Sequence, residues 1–284
     1  MKIILAVDGS KNSEWAVDFL LKLPLAEIPQ IRVLQVVHEK KHITPFLDSV
    51  YHKLFKDAIQ AKIDKDILSA ETHATQIVEK IKARWNDVES IIEKGHVSDT
   101  IIEKAKEEKA DLIILGSRGL SKTKFFFLGG VSQKIVTYAP CSVLVIKKKI
   151  RTLKKILIAT DGSSYSDAAV KFLKSHFLTK KIGTTLLHVW DNPVILPQFA
   201  YETIGKKHLQ EMHKVAFMAN ALCVEGDPAE MINDTARRRK VNLVIVGSKG
   251  LTGYKRFLLG SVARKVITYN SSSVLVVKSI ESKI

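Results

Sequence analysis

Cysteine is almost missing from the chain: Cys141 and Cys223 are the two present among 284 residues. A single possible pair cannot staple a fold, which excludes disulfide-framed secreted scaffolds and makes a reducing, cytoplasmic setting the expectation. Proline and glycine are sparse as well, at 7 and 14 residues; with 46% apolar and 26% charged residues, this excludes fibrous and disordered classes. Aromatic residues make up 7% and form no basic-aromatic module of the kind that stacks nucleic-acid bases. Long apolar runs are lacking too. Stretches such as 243–246 and 125–128 fall far short of the roughly 20 residues a membrane helix needs. The opening Met1-Lys2-Ile3-Ile4-Leu5-Ala6-Val7-Asp8 meets a carboxylate too early for a secretion signal and is expected to be a strand.

Acids are in short supply relative to bases: 29 Asp and Glu against 45 Lys and Arg leave a formal charge of +16. Such a surplus favours phosphate-bearing molecules or anionic surfaces without choosing between them. Against roughly 150 residues per domain, the length predicts two domains.

What the chain does have is itself, twice. The run IILAVDGS at 3–10 returns as ILIATDGS at 156–163, an offset of 153, and the match continues through Ala16/Ala169, Val17/Val170, Phe19/Phe172 and Leu20/Leu173. Residues 112–147 match 243–278 at an offset of 131, with about half the positions identical. The fall from 153 to 131 gives the first copy 22 extra residues in its middle. We place the copies at 1–149 and 150–284. The joint, 147–155, carries six cations in nine residues and is expected to be a short solvated connector; a nucleic-acid patch is the other reading of those charges.

Within each copy, short branched apolar runs alternate with helical periodicity. Strands are expected at 3–7, 33–37, 88–92, 112–115 and 142–146, and at 156–160, 186–190, 221–224, 243–246 and 273–277. Five strands separated by helical segments predict an α/β fold of two doubly wound, five-stranded parallel-sheet, Rossmann-like domains in tandem. In the insert, Thr44 and Pro45 suit a helix start, and Val50, Tyr51, Leu54, Phe55 and Ala58 form a stripe running toward Ile77 and Ile81. This predicts a long second helix, for packing or as a partner-binding lid. Its counterpart in copy two is expected from about Pro197, using Ile204, Leu209, Met212 and Ala216, to about Met218.

The chemistry concentrates where copy two reads Gly247, two residues, Gly250, nine residues, then Gly260-Ser261, directly after a buried strand. Glycines there are expected to supply positive φ and to let backbone amides approach a ligand. The next helix, 262–269, would point its amino end at the same space. Lys249, Lys255, Arg256, Arg264 and Lys265 lie in this stretch with no acid, and 116–134 of copy one is equally acid-free. Asp8 and Asp161 close the first strand of each copy. Such a carboxylate suits ribose hydroxyls or a divalent cation, or serves the turn that caps the next helix. In an open parallel sheet all these residues converge on one crevice.

These features resemble the universal stress protein family in its tandem form: Ala-x-Asp-Gly-Ser, the Gly-two-Gly-nine-Gly-Ser loop and the closing Ser-Val-Leu-Val-Val-Lys. The resemblance implies cytoplasmic roles in stress survival or growth arrest, domain pairing through the last strand, and ATP or a related adenine nucleotide as ligand in one subgroup. By position it implies contacts from Ala159, Thr160, Asp161, Gly162, Ser163, Val189, Gly247, Lys249, Gly250, Gly260, Ser261, Val262 and Ala263, with Asp161 also serving Mg2+ on the nucleotide. Asp8, Val36, Gly116, Gly119, Gly129, Gly130, Val131 and Ser132 would form a weaker site. Copy one departs at Gly130, where the pattern has Ser or Thr, and has Phe125 against Arg256, so only Ser132 is left to compensate in part.

Walker and Gly-x-Gly-x-x-Gly loops do not occur. His208 and His213, five apart, do not share a helical face as a zinc pair would, and Cys141 after Pro140 suits a small buried residue. The glycine loops carry neither carboxylate nor histidine, so a regulatory ligand is expected in place of efficient hydrolysis. A nucleotide-free interaction protein working through the insert helix and Phe125-Phe126-Phe127 is the second reading, and nucleic-acid binding ranks last. The last strands, 142–146 and 273–277, are expected as open sheet edges for a homodimer or an intramolecular pair. No membrane partner is expected.

Overall fold

Apolar residues run through the strands without alternation because both faces of the sheet are covered. In strand β1 (Lys2–Val7), residues 3–7 are all buried. Ile3, Leu5 and Val7 enter one core layer, and Ile4 and Ala6 the other. The computed structural model describes residues 1–38, 49–119, 128–177, 181–190, 219–250 and 259–278. Copy one continues through α1 (Lys11–Leu20), β2 (Gln30–His38), α2 (Ser49–Lys82), β3 (Val88–Gly95), α3 (Val97–Glu107), β4 (Leu112–Gly116), α4 (Gly130–Tyr138) and β5 (Ser142–Ile146). Copy two has β6 (Lys155–Thr160), α5 (Ser164–His176), β7 (Gly183–Trp190), β8 (Ala219–Glu225), α6 (Pro228–Arg238), β9 (Leu243–Gly247), α7 (Ser261–Tyr269) and β10 (Ser273–Val277).

All ten expected strands are present, and each copy is doubly wound. Phe19 and Leu20 of α1, Ile77 and Ile81 of α2, and Val170 and Leu173 of α5 fill one layer. Ile101 of α3, Ile135 of α4, Ile232 of α6 and Val266 of α7 fill the other. Helix α2 runs for 34 residues, as the insert predicts. Thr44, Pro45 and the whole of 197–218 lie outside the described residues, as do the side chains of Val50, Tyr51, Leu54, Phe55 and Ala58.

The strands form a single ten-stranded sheet in the order β3-β2-β1-β4-β5-β10-β9-β6-β7-β8. Of the two pairings expected for the last strands, a homodimer or an intramolecular pair, the structure shows the intramolecular one. β5 and β10 pair with each other, antiparallel, with Leu144 opposite Leu275 and Val143 opposite Val276. Each closing strand is apolar on both faces, and this pairing hides its backbone groups from water. The sheet edges are β3 and β8.

Two lysines lock the seam. Lys147, just past β5, reaches the carboxyl end of α7 in the other copy, where its Nζ donates to the carbonyls of Ile267 (2.5 Å), Asn270 (2.7 Å) and Thr268 (3.4 Å). Lys278, past β10, donates to Ala139 (2.5 Å) and Thr137 (3.2 Å) at the end of α4. A cation there meets the negative end of the helix dipole and satisfies carbonyls that have no partner within the helix. Burial pushes both ammonium groups down, each to about 8.

The connector is less solvated than its charge suggests. Ile150 and Leu153 are 6% and 5% exposed and belong to the core, and Lys22 Nζ donates to the Ile150 carbonyl at 2.6 Å. Apolar residues in a charged run override it locally because they can reach the adjoining core.

Candidate functional site

Strand order reverses where β1 pairs with both β2 and β4, and again where β6 pairs with both β7 and β9. At such a point the loops leaving neighbouring strands diverge to opposite faces and leave a crevice. In copy two, Asp161 leaves β6 there. Its Oδ1 accepts the Ser163 amide at 3.0 Å, and Ser163 Oγ in turn accepts the Ser166 amide at 3.2 Å, capping α5. Asp8, Ser10 and Ser13 repeat this pattern in copy one at 3.0 and 3.2 Å. Serine, not aspartate, is therefore the helix cap, and one carboxylate oxygen of each Asp is spent on the turn.

Positive φ lies in these turns and not in the glycine loops. Gly9 and Gly162 have φ of 73° and 79°, whereas Gly116, Gly119, Gly247 and Gly250 do not have positive φ. The loop glycines answer to packing. A Cβ on Gly250 would lie 2.7 Å from Asp161 Oδ2, and one on Gly247 would lie 2.8 Å from the Tyr165 main chain. Gly119 and Gly116 repeat these approaches, at 2.5 Å to Asp8 Oδ2 and 2.7 Å to the Asn12 main chain. Gly260 packs against Lys249 Cα, 3.2 Å from its built Cβ. Gly260, Lys249, Gly250 and Asp161 thus form one continuous cluster.

Helix α7 begins at this cluster. Gly260 donates its amide to Ser248 O (2.8 Å), and the first bond inside the helix runs from Arg264 N to Gly260 O (2.9 Å). The amides of Ser261, Val262 and Ala263 precede that bond, and the Gly260 N-cap supplies no side-chain acceptor. By contrast, α1, α5 and α6 are capped by Ser10, Ser163 and Asp227. Ser261 is exposed, Val262 half-buried and Ala263 buried. Lys249 Nζ lies 5.5 Å from the Tyr165 ring centroid, a cation-π distance that keeps the ammonium at the crevice.

Val189 lies beyond the last register pair between β6 and β7, Thr160 with His188, and pairs on its other side with Val224. Val36 stands equivalently past Val7–Gln35 and pairs with Glu93. Ala159 is half-buried and Thr160 buried.

In copy one, Gly129 likewise gives α4 no side-chain cap. Val131 is 39% exposed beside it. A Cβ on Gly130 would meet nothing within 4 Å. The expectation that Ser132 makes up for the missing hydroxyl fails: it is buried and donates to Gly116 O at 2.9 Å. That hydroxyl holds the loop. Lys255, Arg256 and Phe125-Phe126-Phe127 lie outside the described residues, as do His208 and His213. Cys141 is buried as expected, its thiol pushed up to about 12 by burial.

Sequence reasoning missed two residues of the crevice. His188 is buried with Nδ1 2.9 Å from Thr160 O, fixing the exit of β6. Tyr165 stands where copy one has Asn12, and that substitution at a polar helix start was the available signal.

The sequence model of the universal stress protein family matches residues 1–147 and again 152–278. The chain belongs to the universal stress protein family. It is 30% identical to universal stress protein YxiE of Bacillus subtilis over 148 residues, 51% of this chain and 98% of that one. Universal stress protein Rv1996 of Mycobacterium tuberculosis is 24% identical and shares the tandem length, with 97% of this chain and 94% of that one covered. The fold matches the crystal structure of a universal stress protein from Archaeoglobus fulgidus at a TM-score of 0.71 and 23% identity, covering 99% and 97% of the two chains.

Proposed function

We propose that this universal stress protein binds ATP or a related adenine nucleotide, mainly in the crevice of its C-terminal repeat, as a regulatory ligand and not as a substrate for rapid turnover. The setting of this proposal is a cytoplasmic stress response. The observation that carries it is the continuous cluster of Asp161, Gly250, Lys249 and Gly260 at the start of a helix whose N-cap, Gly260, gives its first amides no side-chain acceptor. Amides at a helix amino end, with a cation beside them, favour phosphate oxygens.

In this reading Ser261, Val262 and Ala263 hold phosphates through main-chain amides, with the Ser261 hydroxyl and Lys249 adding bonds. The main chain at Val189 faces the base, and that of Ala159 and Thr160 lies beside it. Gly162 and Ser163 fix Asp161, whose Oδ2 approaches Gly250 and would serve ribose or Mg2+ bound with the nucleotide. Gly247 and Gly250 keep the loop close enough for these contacts. Magnesium would supply charge neutralisation of the phosphates. Among the described residues of this cluster Asp161 is the carboxylate, and one of its oxygens is bonded to the Ser163 amide, which supports a bound regulatory ligand over rapid hydrolysis.

Native mass spectrometry of the full chain, purified without added ligand and then titrated with magnesium ATP, tests this. One nucleotide per chain is expected, with affinity lowered about tenfold in Ser261→Ala, the loss of one bond to a charged oxygen. A protein that stays empty at millimolar nucleotide while self-associating tightly would favour the interaction reading.

A further inference from the structure

The amino ends of the strands, on the side away from the crevice, carry a second feature. Helix α6 ends in Arg237-Arg238-Arg239-Lys240, and the connector lies against this turn. Lys154 N and Lys155 N donate to Asn242 Oδ1 at 2.8 and 3.0 Å. Lys155 Nζ donates to Arg239 O at 3.0 Å, and Lys148 Nζ to Val241 O at 3.4 Å. Two basic segments whose bonded residues are 84 and 93 apart in sequence thus become one face. Among the described residues, Asp234 pairs with Arg237 and Arg238 at 2.6 and 3.8 Å, both arginines staying more than 70% exposed, and Asp18 lies 3.7 Å from Lys149 of the connector.

The first repeat serves as an internal control, because it builds the same turn. Helix α3 ends with Glu108 as its C-cap, and α6 with Arg239. Lys109 and Lys240 take the same left-handed conformation, with φ of 52° and 54°. Ala110 N and Val241 N make the same bond, each 2.9 Å, back to Ala105 O and Ala236 O. Yet 106–111 reads Lys-Glu-Glu-Lys-Ala-Asp and 237–242 reads Arg-Arg-Arg-Lys-Val-Asn. Two cations against three acids become four cations and no acid on an equivalent backbone. Folding needs none of these charges, and neutralising a helix dipole needs one or two at most.

We infer that this face is a docking surface for the phosphate backbone of a nucleic-acid duplex, bound without sequence preference. Guanidinium groups match phosphate oxygens two bonds at a time. Phosphate contacts alone need no aromatic stacking, so the missing basic-aromatic module does not count against them. A membrane is the poorer fit: the apolar residues within the two basic segments, Ile150, Leu153 and Val241, are all under 9% exposed, and stable membrane attachment takes two signals. This inference does not depend on nucleotide binding in the crevice.

The test is fluorescence anisotropy of a labelled mixed-sequence DNA duplex with the full chain over a salt series. Binding at physiological salt is expected, with log affinity falling about 0.9 per log unit of salt for each phosphate engaged. Arg238→Glu/Arg239→Glu copies the first repeat and is expected to lower affinity at least tenfold, flatten the slope by about two, and lower the melting temperature by only a few degrees, through the loss of the Arg238–Asp234 pair. Arg238→Gln/Arg239→Gln stands in if the glutamates impair folding. Lys62→Glu/Lys65→Glu, the same charge change on the exposed face of α2, is expected to cost less than threefold. Absence of duplex binding, an equal loss in both variants, or binding confined to phosphatidylserine vesicles would overturn the inference.

Discussion

One hydroxyl separates the two crevices at their most comparable point. Ser261 opens α7, whereas Gly130 opens α4 and leaves the space of a side chain empty to 4 Å. Gly130→Ser is therefore expected to fit without strain and to raise nucleotide affinity of the first repeat between tenfold and a hundredfold, as one bond to a charged oxygen contributes about 1.5–3 kcal/mol. The measurement is calorimetric titration in an Asp161→Asn background; no gain there contradicts the role given to Ser261. Gly247→Ala is expected to lower stability by about 1–3 kcal/mol, since its Cβ would sit 2.8 Å from the Tyr165 main chain, and denaturant melts check this. The spacing of these glycines marked them in the sequence, but their cause did not show. What abuts a glycine is a property of the fold, and here it is Asp161 and Tyr165 in place of a strained φ. Ser132 misled for the same reason: a hydroxyl one turn into a helix points to ligand or to loop according to which carbonyl lies nearest.

Among elements, the strands were the most legible because burial on both faces writes an unbroken apolar run. The seam was legible only as a choice between a homodimer and an intramolecular pair through the last strands. An apolar closing strand reads the same whether its edge is open or paired, and only the structure sets β5 against β10. Lys147 and Lys278 pin that seam to α7 and α4, the helices that open the two crevices. Their pKa of about 8 in the fold lies below the ordinary 10.5 of the unfolded chain. Between these values the folded state binds fewer protons than the unfolded one, so these groups add stability as pH rises through the window. The melting temperature of the wild type, relative to Lys147→Met/Lys278→Met, is expected to climb from pH 8 to 10.5 and to be flat from 6 to 7.5. A difference that does not vary with pH would contradict the account of the seam.

For the whole molecule, two repeats share one sheet, so the last strands are no longer available to another chain without unzipping β5 from β10. Tandem organisation and fold class followed from the two offsets, 153 and 131, before any coordinates. The basic face did not follow, because the connector and the end of α6 meet only in three dimensions. The repeats have diverged at both ends of their strands, in the hydroxyl at the crevice and in the charge on the opposite side. The central claim is that one crevice, the C-terminal one, takes the nucleotide. Its most direct test is calorimetric titration of the full chain with magnesium ATP, beside Asp161→Asn and Asp8→Asn. One strong site per chain, lost in Asp161→Asn and retained in Asp8→Asn, is predicted; two equal sites, or none at millimolar nucleotide, would contradict it.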